Sequence, residues 1–465
     1  MNNNLISPVI ATIGPATEER KNLVTLLKLC DIVRINGGHN TLSWHKNVSS
    51  NVKKIDSTKV ILIDVPGIKP RTLNKKPIII KKGEKIIFCG KEKKLSKSNY
   101  KIVKLSNPLP KNYKKNKHFS ISDGQFSFSL IKYGKNYVIG KSKVNFILLP
   151  NKGLNIPGSF YDENYQLKVY KNFLKKINNF KFDALGISYV QSEKIINKIR
   201  KIFPSKIIVS KIENSLGLHN SLEIIKSSDA IMIDRGDLAA EAGEQNLFND
   251  VVRVSKQVKY LGRPLIIATE NLESMIEKVA PTKSEIMSLG LNTLLGADKI
   301  MLSDETATST NWKNTINWVN KFYNFTNIDS STMKNSFTRT GIDENHSNLC
   351  IWDAIETLNH LPFVIATKSG AAIYELKKRI NGNRIFVFTD SIRTYNLCRF
   401  WNGITANIVQ KMLKKEGGKQ ILGIVKQHSN LLFTSNSAIA TVFVLNPRKG
   451  ARANALYIVT KKDLK

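Results

Sequence analysis

Val209-Ser-Lys-Ile-Glu-Asn-Ser215 and Asp229-Ala-Ile-Met-Ile-Asp-Arg-Gly-Asp-Leu238 are two apolar runs that end in charged groups. In the first, Lys211 and Glu213 are two positions apart, so on a strand they project to the same side. A cation beside a carboxylate at a strand end suits a metal-bound phosphoryl group. In the second, Asp237 follows the strand at the start of a predicted helix, where unpaired backbone N–H groups attract anions. Together the two runs point to metal-assisted phosphoryl or carboxylate chemistry at the mouth of an α/β barrel.

Six further runs complete the pattern: Pro8–Ile13, Asp31–Asn36, Val60–Val65, Ala184–Tyr189, Pro264–Thr269 and Lys299–Asp304, beside Lys206–Glu213 and Ala230–Asp234. They are rich in Val and Ile and mostly lack alternation, as parallel strands buried on both faces do. Helical spacing of apolar residues falls between them at Glu193–Ile202 and Leu247–Tyr260, and Thr282 with Glu285 reads as a capping box. Eight β-then-α units predict a (β/α)8 TIM barrel whose site lies at the C-terminal strand ends. The long gap after the third run contains short strand-like segments, Pro77–Ile80, Lys85–Phe88, Tyr137–Ile139 and Val144–Leu149. It reads as an inserted β domain placed to act as a lid. A further α/β alternation follows: helix Ile351–Leu361, strand Phe363–Thr367, helix Ala371–Ile380, strand Arg384–Thr389, then strands Ala440–Leu445 and Ala455–Val459. The expected architecture is a barrel over 1–72 and 157–327, a β-barrel lid over 73–156 and a C-terminal α/β domain over 328–465.

Composition bounds the function. The 465 residues carry a formal charge of +36. The lysines are spread along the whole chain, which fits a compositional bias better than a binding face, so no specific nucleic-acid partner is expected. No apolar run is long enough to span a membrane. The opening residues lack a basic segment followed by an apolar one, so a cytoplasmic location is expected. Cys30, Cys89, Cys350 and Cys398 are far apart and read as reduced, unpaired thiols.

The predicted strand ends gather Arg34, Asn36 and His39 from the second run, and Asp64, Lys69 and Arg71 from the third and beyond. Lys211 and Glu213 come from the fifth, Asp237 from the sixth and Thr269 from the seventh. Carboxylates fixed on rigid strands suit a divalent ion with oxygen ligands, Mg2+ or Mn2+. No P-loop is present, so phosphate would be held by these cations and by helix N-termini.

The chain resembles the pyruvate kinase family. The resemblance rests on Ala11–Thr17, Val33–Asn36, Asn151–Gly158, Ser210–Asn214, Arg235–Leu238, Ile267–Thr269, Glu273–Ile276, Pro281–Glu285 and Ile300–Ser303, in the family's order. It covers the barrel and is weaker towards the C-terminus. It implies a Mg2+-dependent phosphotransferase that converts phosphoenolpyruvate and ADP to pyruvate and ATP, assembled as a homotetramer. It implies that Glu213 and Asp237 hold Mg2+ and that Lys211 stabilises the phosphoryl group in transit. Arg34 would bind phosphate, Gly236 and Asp237 would receive the substrate carboxylate, and Thr269 would stand near the carbon that is protonated. Asn36, His39, Arg71 and Lys152 would serve the nucleotide phosphates, with Asn36 and Asp64 as candidate K+ ligands.

Several positions depart from the family's pattern. Gly37-Gly38-His39-Asn40 stands where members usually have Phe-Ser-His-Gly, so Gly38 lacks a hydroxyl for a monovalent cation. Lys69 stands where K+-requiring members carry Glu, and its ammonium is expected to replace K+. Asp234, Glu270 and Asp304 are added acidic groups near an anion site, and a raised KM for phosphoenolpyruvate is expected. The alternative function is a decayed relative that binds ligand with little turnover. Lys368-Ser-Gly370 resembles the family's effector loop, and the basic segment Pro447–Arg452 does not follow its usual ending.

Overall fold

The computed structural model describes residues 7–90, 99–111, 117–122, 124–134, 136–325, 349–358, 360–380, 384–410, 417–433, 438–444 and 453–464. Strands Val9–Thr12, Ile32–Asn36, Val60–Val65, Ala184–Ile187, Ile207–Ile212, Ala230–Asp234, Leu265–Ala268 and Lys299–Leu302 close into a barrel, each parallel to both neighbours. All eight lie within the expected runs. Lack of alternation has a direct cause. Ile61, Ile63, Ile231 and Ile233 pack outward under the helices. Their neighbours Val60, Leu62, Ala230 and Met232 fill the lumen. The expected helices occur at Glu193–Ile202 and Leu247–Tyr260, and Thr282 and Glu285 form the reciprocal capping box.

The insert between the third and fourth barrel strands is a curled six-stranded sheet plus a two-stranded ribbon, Ile78–Ile80 against Phe146–Leu148. Phe88, Phe119, Phe128 and Phe146 pack edge-on and stacked in its centre. Pattern reading misses strands Lys101–Leu105, His118–Ile121 and Phe126–Gly134. Their exposed faces carry lysines and serines that blend into a lysine-rich chain.

The C-terminal sheet runs Ile404–Ile408, Ile385–Thr389, Phe363–Ala366, Ala438–Phe443, Ala455–Thr460, with only the last pair antiparallel. Ile404–Ile408 is an edge strand, half exposed and without a clear apolar pattern, and sequence reading does not find it. The turn at Lys368–Gly370 is closed by the Gly370 N–H on Thr367 Oγ1 at 3.1 Å. Pro447–Arg452 and the Cys350 side chain lie outside the described residues; Cys30, Cys89 and Cys398 are free and buried. Among the described residues no helix is long and apolar enough to cross a membrane.

The barrel floor carries a fourfold repeat. Asp31, Asp183, Asp229 and Asp298 each stand one residue before an even-numbered strand. Each carboxylate accepts a backbone N–H at or just before the preceding odd-numbered strand: Ser7 at 3.0 Å, and Ile61, Ile208 and Leu265 at 2.9 Å. Each also meets the C-terminal domain. Arg399 Nη1 reaches Asp31 at 2.9 Å, Asn396 Nδ2 reaches Asp183 at 3.0 Å and Arg393 Nη2 reaches Asp229 at 2.7 Å; the Asn402 N–H reaches Asp298 at 3.3 Å. These four positions are three apart along helix Ile392–Cys398 and the turn after it, so one helical face meets all four aspartates. Phe400 and Trp401 then join the lumen residues in one core.

Arg393→Ala leaves Asp229 its Arg200 partner at 2.9 Å. The expected loss of unfolding free energy is therefore moderate, about 1 to 2 kcal/mol. An unchanged urea midpoint would show that this contact does not secure the floor.

Candidate active site

Arg34, Asp64, Lys211 and Asp234 continue the inward-facing series Ile32, Leu62, Val209 and Met232 on their own strands. Strand parity therefore aims all four into the mouth of the lumen. Lys211 is buried, and its Nζ lies 2.7 Å from Glu213 Oε1, 3.3 Å from Asp234 Oδ2 and 3.5 Å from Asp64 Oδ2. Arg34 grips Asp64 Oδ2 through Nη2 at 2.7 Å and Nε at 2.9 Å, and donates from Nη1 to Thr12 Oγ1 at 3.0 Å. Burial alone would lower the Lys211 ammonium, but Asp64, Glu213 and Asp234 outweigh it and raise it well above the lysine range. Burial also pushes the Asp64 carboxyl up, and Lys211 and Arg34 more than offset it, holding Asp64 below its ordinary value. Asp64 Oδ2 thus serves two side-chain cations, while its buried Oδ1 has no hydrogen-bond partner among the described residues.

Asp237 opens helix Arg235–Ala242. Its Oδ1 accepts from Lys69 Nζ at 2.6 Å and from Tyr189 Oη at 2.7 Å. Burial pushes this carboxyl up, but Lys69 prevails and brings it to about 2. The buried Lys69 stem crosses Gly153, where a Cβ would come within 2.5 Å of Lys69 Cε. Lys69 is therefore a buried partner of Asp237.

Tyr189 also donates its backbone N–H to Glu213 Oε2 at 2.6 Å, and so ties Glu213 to Asp237. Sequence reading missed Tyr189. Its usable signal is weak: an aromatic at the end of a strand run, opposite Gly67, whose Cβ would lie 2.6 Å from the ring. Glu213, Asp234 and Asp237 each bring an oxygen within 4.8 Å of the other two. Burial, with Asp234 and Asp237 nearby, pushes the Glu213 carboxyl up against the pull of Lys211. Three converging oxygen donors whose mutual repulsion a cation would relieve fit a hard divalent ion.

Thr269 and Glu270 lie in the left-handed region, at φ 60 and 51. Each such non-glycine residue costs on the order of 1 kcal/mol or more and needs support. The Thr269 hydroxyl accepts from the Gly236 N–H at 3.0 Å and has two acceptors for its one proton, Asp234 Oδ1 at 3.0 Å and the Ala268 carbonyl at 2.7 Å.

The family model for the barrel domain of pyruvate kinase matches residues 6–316. The chain belongs to the pyruvate kinase family. It is 28% identical to the pyruvate kinase of Thermotoga maritima over 404 residues, covering 83% of this chain and 85% of that one. It is 26% identical to that of Thermococcus litoralis over 468 residues, covering 93% and 95%. The solved pyruvate kinase of Cryptosporidium parvum shares the fold, with a TM-score of 0.80 at 21% identity over 98% of this chain and 96% of that one.

The remaining positions form a looser rim around this pyruvate kinase barrel. Partial burial and the charges of Arg71 and Arg34 hold the His39 imidazole below its ordinary range, against the pull of Asp304. Asn36 Oδ1 accepts the Gly38 N–H at 3.1 Å. Arg71 Nη1 donates to the Asn151 carbonyl at 3.2 Å, and the Lys152 N–H to Thr72 Oγ1 at 3.1 Å, which pins the insert's return to its exit. A Cβ at Gly37 would lie 2.5 Å from Phe173 Cζ, so the ring from the neighbouring helix takes the space beside that glycine. Asn40 is left-handed at φ 60, a conformation Asn tolerates. Of the three added acids, Asp234 is buried among the catalytic candidates, while Asp304 and Glu270 are exposed. Glu270 Oε1 nonetheless lies 3.9 Å from where a Gly236 Cβ would be.

Proposed function

We propose that the chain is a working pyruvate kinase, which transfers the phosphoryl group of phosphoenolpyruvate to ADP and releases pyruvate and ATP. The observation that carries this reading is the buried Lys211 ammonium among Glu213, Asp234 and Asp64, with Asp237 alongside. Such an array is costly to bury without a use, because its like charges need a further cation. Glu213, Asp237 and Asp234 would hold Mg2+ (or Mn2+), which when bound offsets charge on the phosphoryl oxygens.

The protein's own groups do the rest. Lys211 stays protonated and meets the phosphoryl group in transit. Arg34, fixed by Asp64 and Thr12, orients the phosphate. The backbone at Gly236 and Asp237 receives the substrate carboxylate, and the Thr269 hydroxyl stands near the enolate carbon, where it positions the water that supplies the proton. Asn36, His39, Arg71 and Lys152 serve the phosphates of ADP and ATP. A homotetramer is part of the same reading.

A second reading, ligand binding without turnover, is favoured by one contact. Lys69 already neutralises Asp237, one of the carboxylates meant for the metal. Pyruvate release from phosphoenolpyruvate and ADP, followed by a coupled assay with Mg2+ in K+-free buffer, separates the two. Sustained turnover supports the kinase, and no turnover at saturating substrate, with K+ added, leaves the binder.

Asp234 has opposite effects on anion and cation. Asp234→Ala is expected to lower the KM for phosphoenolpyruvate roughly fivefold, about 1 kcal/mol of relieved repulsion, and to raise the Mg2+ concentration for half-maximal rate. A KM that does not fall would show that Lys211 and Thr269 already screen this carboxylate.

A further inference from the structure

Arg235 sits between Asp234 and Gly236, and no step above uses it. Its guanidinium is buried and turned away from the acidic cluster, towards the loop after the seventh strand. Nη2 donates to the Thr269 carbonyl at 2.7 Å, the Glu270 carbonyl at 2.6 Å and Asn271 Oδ1 at 3.1 Å. Nη1 donates to Ser288 Oγ at 2.8 Å on helix Lys283–Leu294. Two successive carbonyls converge on one nitrogen where Thr269 and Glu270 are both left-handed, at φ 60 and 51. The turn is anchored from behind as well. Asn271 Nδ2 donates to the Met301 carbonyl at 3.2 Å, and Asn292 Nδ2 donates to Asn271 Oδ1 at 3.1 Å.

We infer that Arg235 is a positioning residue for the phosphoryl-transfer reaction: it holds the turn that fixes the Thr269 hydroxyl between Asp234 and the Gly236 N–H. This rests on the pyruvate kinase reading. A relaxed turn would swing the Thr269 side chain, which makes those contacts at 3.0 Å each. The substrate's phosphate and carboxylate contacts would remain. The signature is therefore a loss in kcat with little change in KM. A lysine keeps the charge and three N–H donors but has no second nitrogen for Ser288 and no planar fork to fix their directions.

The test is a double-mutant cycle on the full-length protein with Mg2+ present. Arg235→Lys is expected to lower kcat on the order of thirtyfold with KM for phosphoenolpyruvate within about threefold, as a displaced but intact catalytic group does. In a Thr269→Ala background the same change should cost no more than about threefold, because the two act as one unit. Ser288→Ala, which frees only Nη1, guards against a misfolded Arg235 variant and should lower kcat about threefold without moving KM. Losses that multiply across the cycle, or a rise in KM with kcat unchanged, would overturn the positioning role while leaving the kinase reading intact. A wild-type protein without turnover would overturn both.

Discussion

Lys211→Met is expected to abolish useful turnover, lowering kcat by about three orders of magnitude or roughly 4 kcal/mol of transition-state stabilisation. The side chain is the only cation within reach of Glu213, Asp234 and Asp64 together among the described residues. Removing it takes away the charge that meets the phosphoryl oxygens and leaves three buried carboxylates with one guanidinium, Arg34, on Asp64. Stability changes as well. The Lys211 ammonium is raised above its unfolded value, so its contribution is fully present at neutral pH and fades only as pH rises through the folded value. The variant therefore loses that contribution at neutral pH. Methionine keeps the stem's volume, and a thermal melt in saturating Mg2+ separates a folded, inactive enzyme from an unfolded one. A folded variant within tenfold of the wild-type rate would remove Lys211 from the chemistry.

Much of this site could be read from strand parity. Once Val209 and Met232 face the lumen, Lys211 and Asp234 must follow, as Arg34 follows Ile32 and Asp64 follows Leu62. Residues two apart share a face, but an unbroken apolar run does not show which face is the lumen, so barrel closure alone sets the direction of Asp234. Tyr189 was invisible for a different reason. Its hydroxyl reaches Asp237 across 48 positions, and its backbone reaches Glu213 because of a left-handed turn that nothing local announces. Lys69 was legible as a departure, but its partner was not, since the salt bridge spans the inserted domain. The barrel strands were legible because burial on both faces leaves an unbroken apolar run. The strand Lys101–Leu105 was not, because only Val103 and Leu105 on it are fully buried and lysines fill two of the other positions.

Lys69→Met is the second large expected effect, and it tests whether a tethered ammonium replaces a monovalent ion. Wild-type rates should be indifferent to K+, because Lys69 Nζ already lies 2.6 Å from Asp237 Oδ1 with its side chain only 3% exposed. The methionine variant should lose on the order of a hundredfold in K+-free buffer, and added K+ should return part of it. Asp237 explains why. Its carboxyl is held at about 2, below an ordinary 3.8, and the first cause opposing burial there is Lys69. A depressed carboxyl stabilises the fold above its unfolded value and loses that contribution only as pH falls towards 2, so the pairing is fully in force at neutral pH. Without Lys69, Asp237 keeps the Tyr189 hydroxyl at 2.7 Å but faces Glu213 and Asp234 with no adjacent cation of its own. Its carboxyl then rises, and it competes for Mg2+ with protons as well as with its neighbours. The rate of the variant should therefore fall more steeply than the wild type's as pH is lowered. K+ raising the wild-type rate many-fold, or leaving the variant unchanged, would show that Lys69 is a structural partner of Asp237 and not the monovalent charge of the reaction.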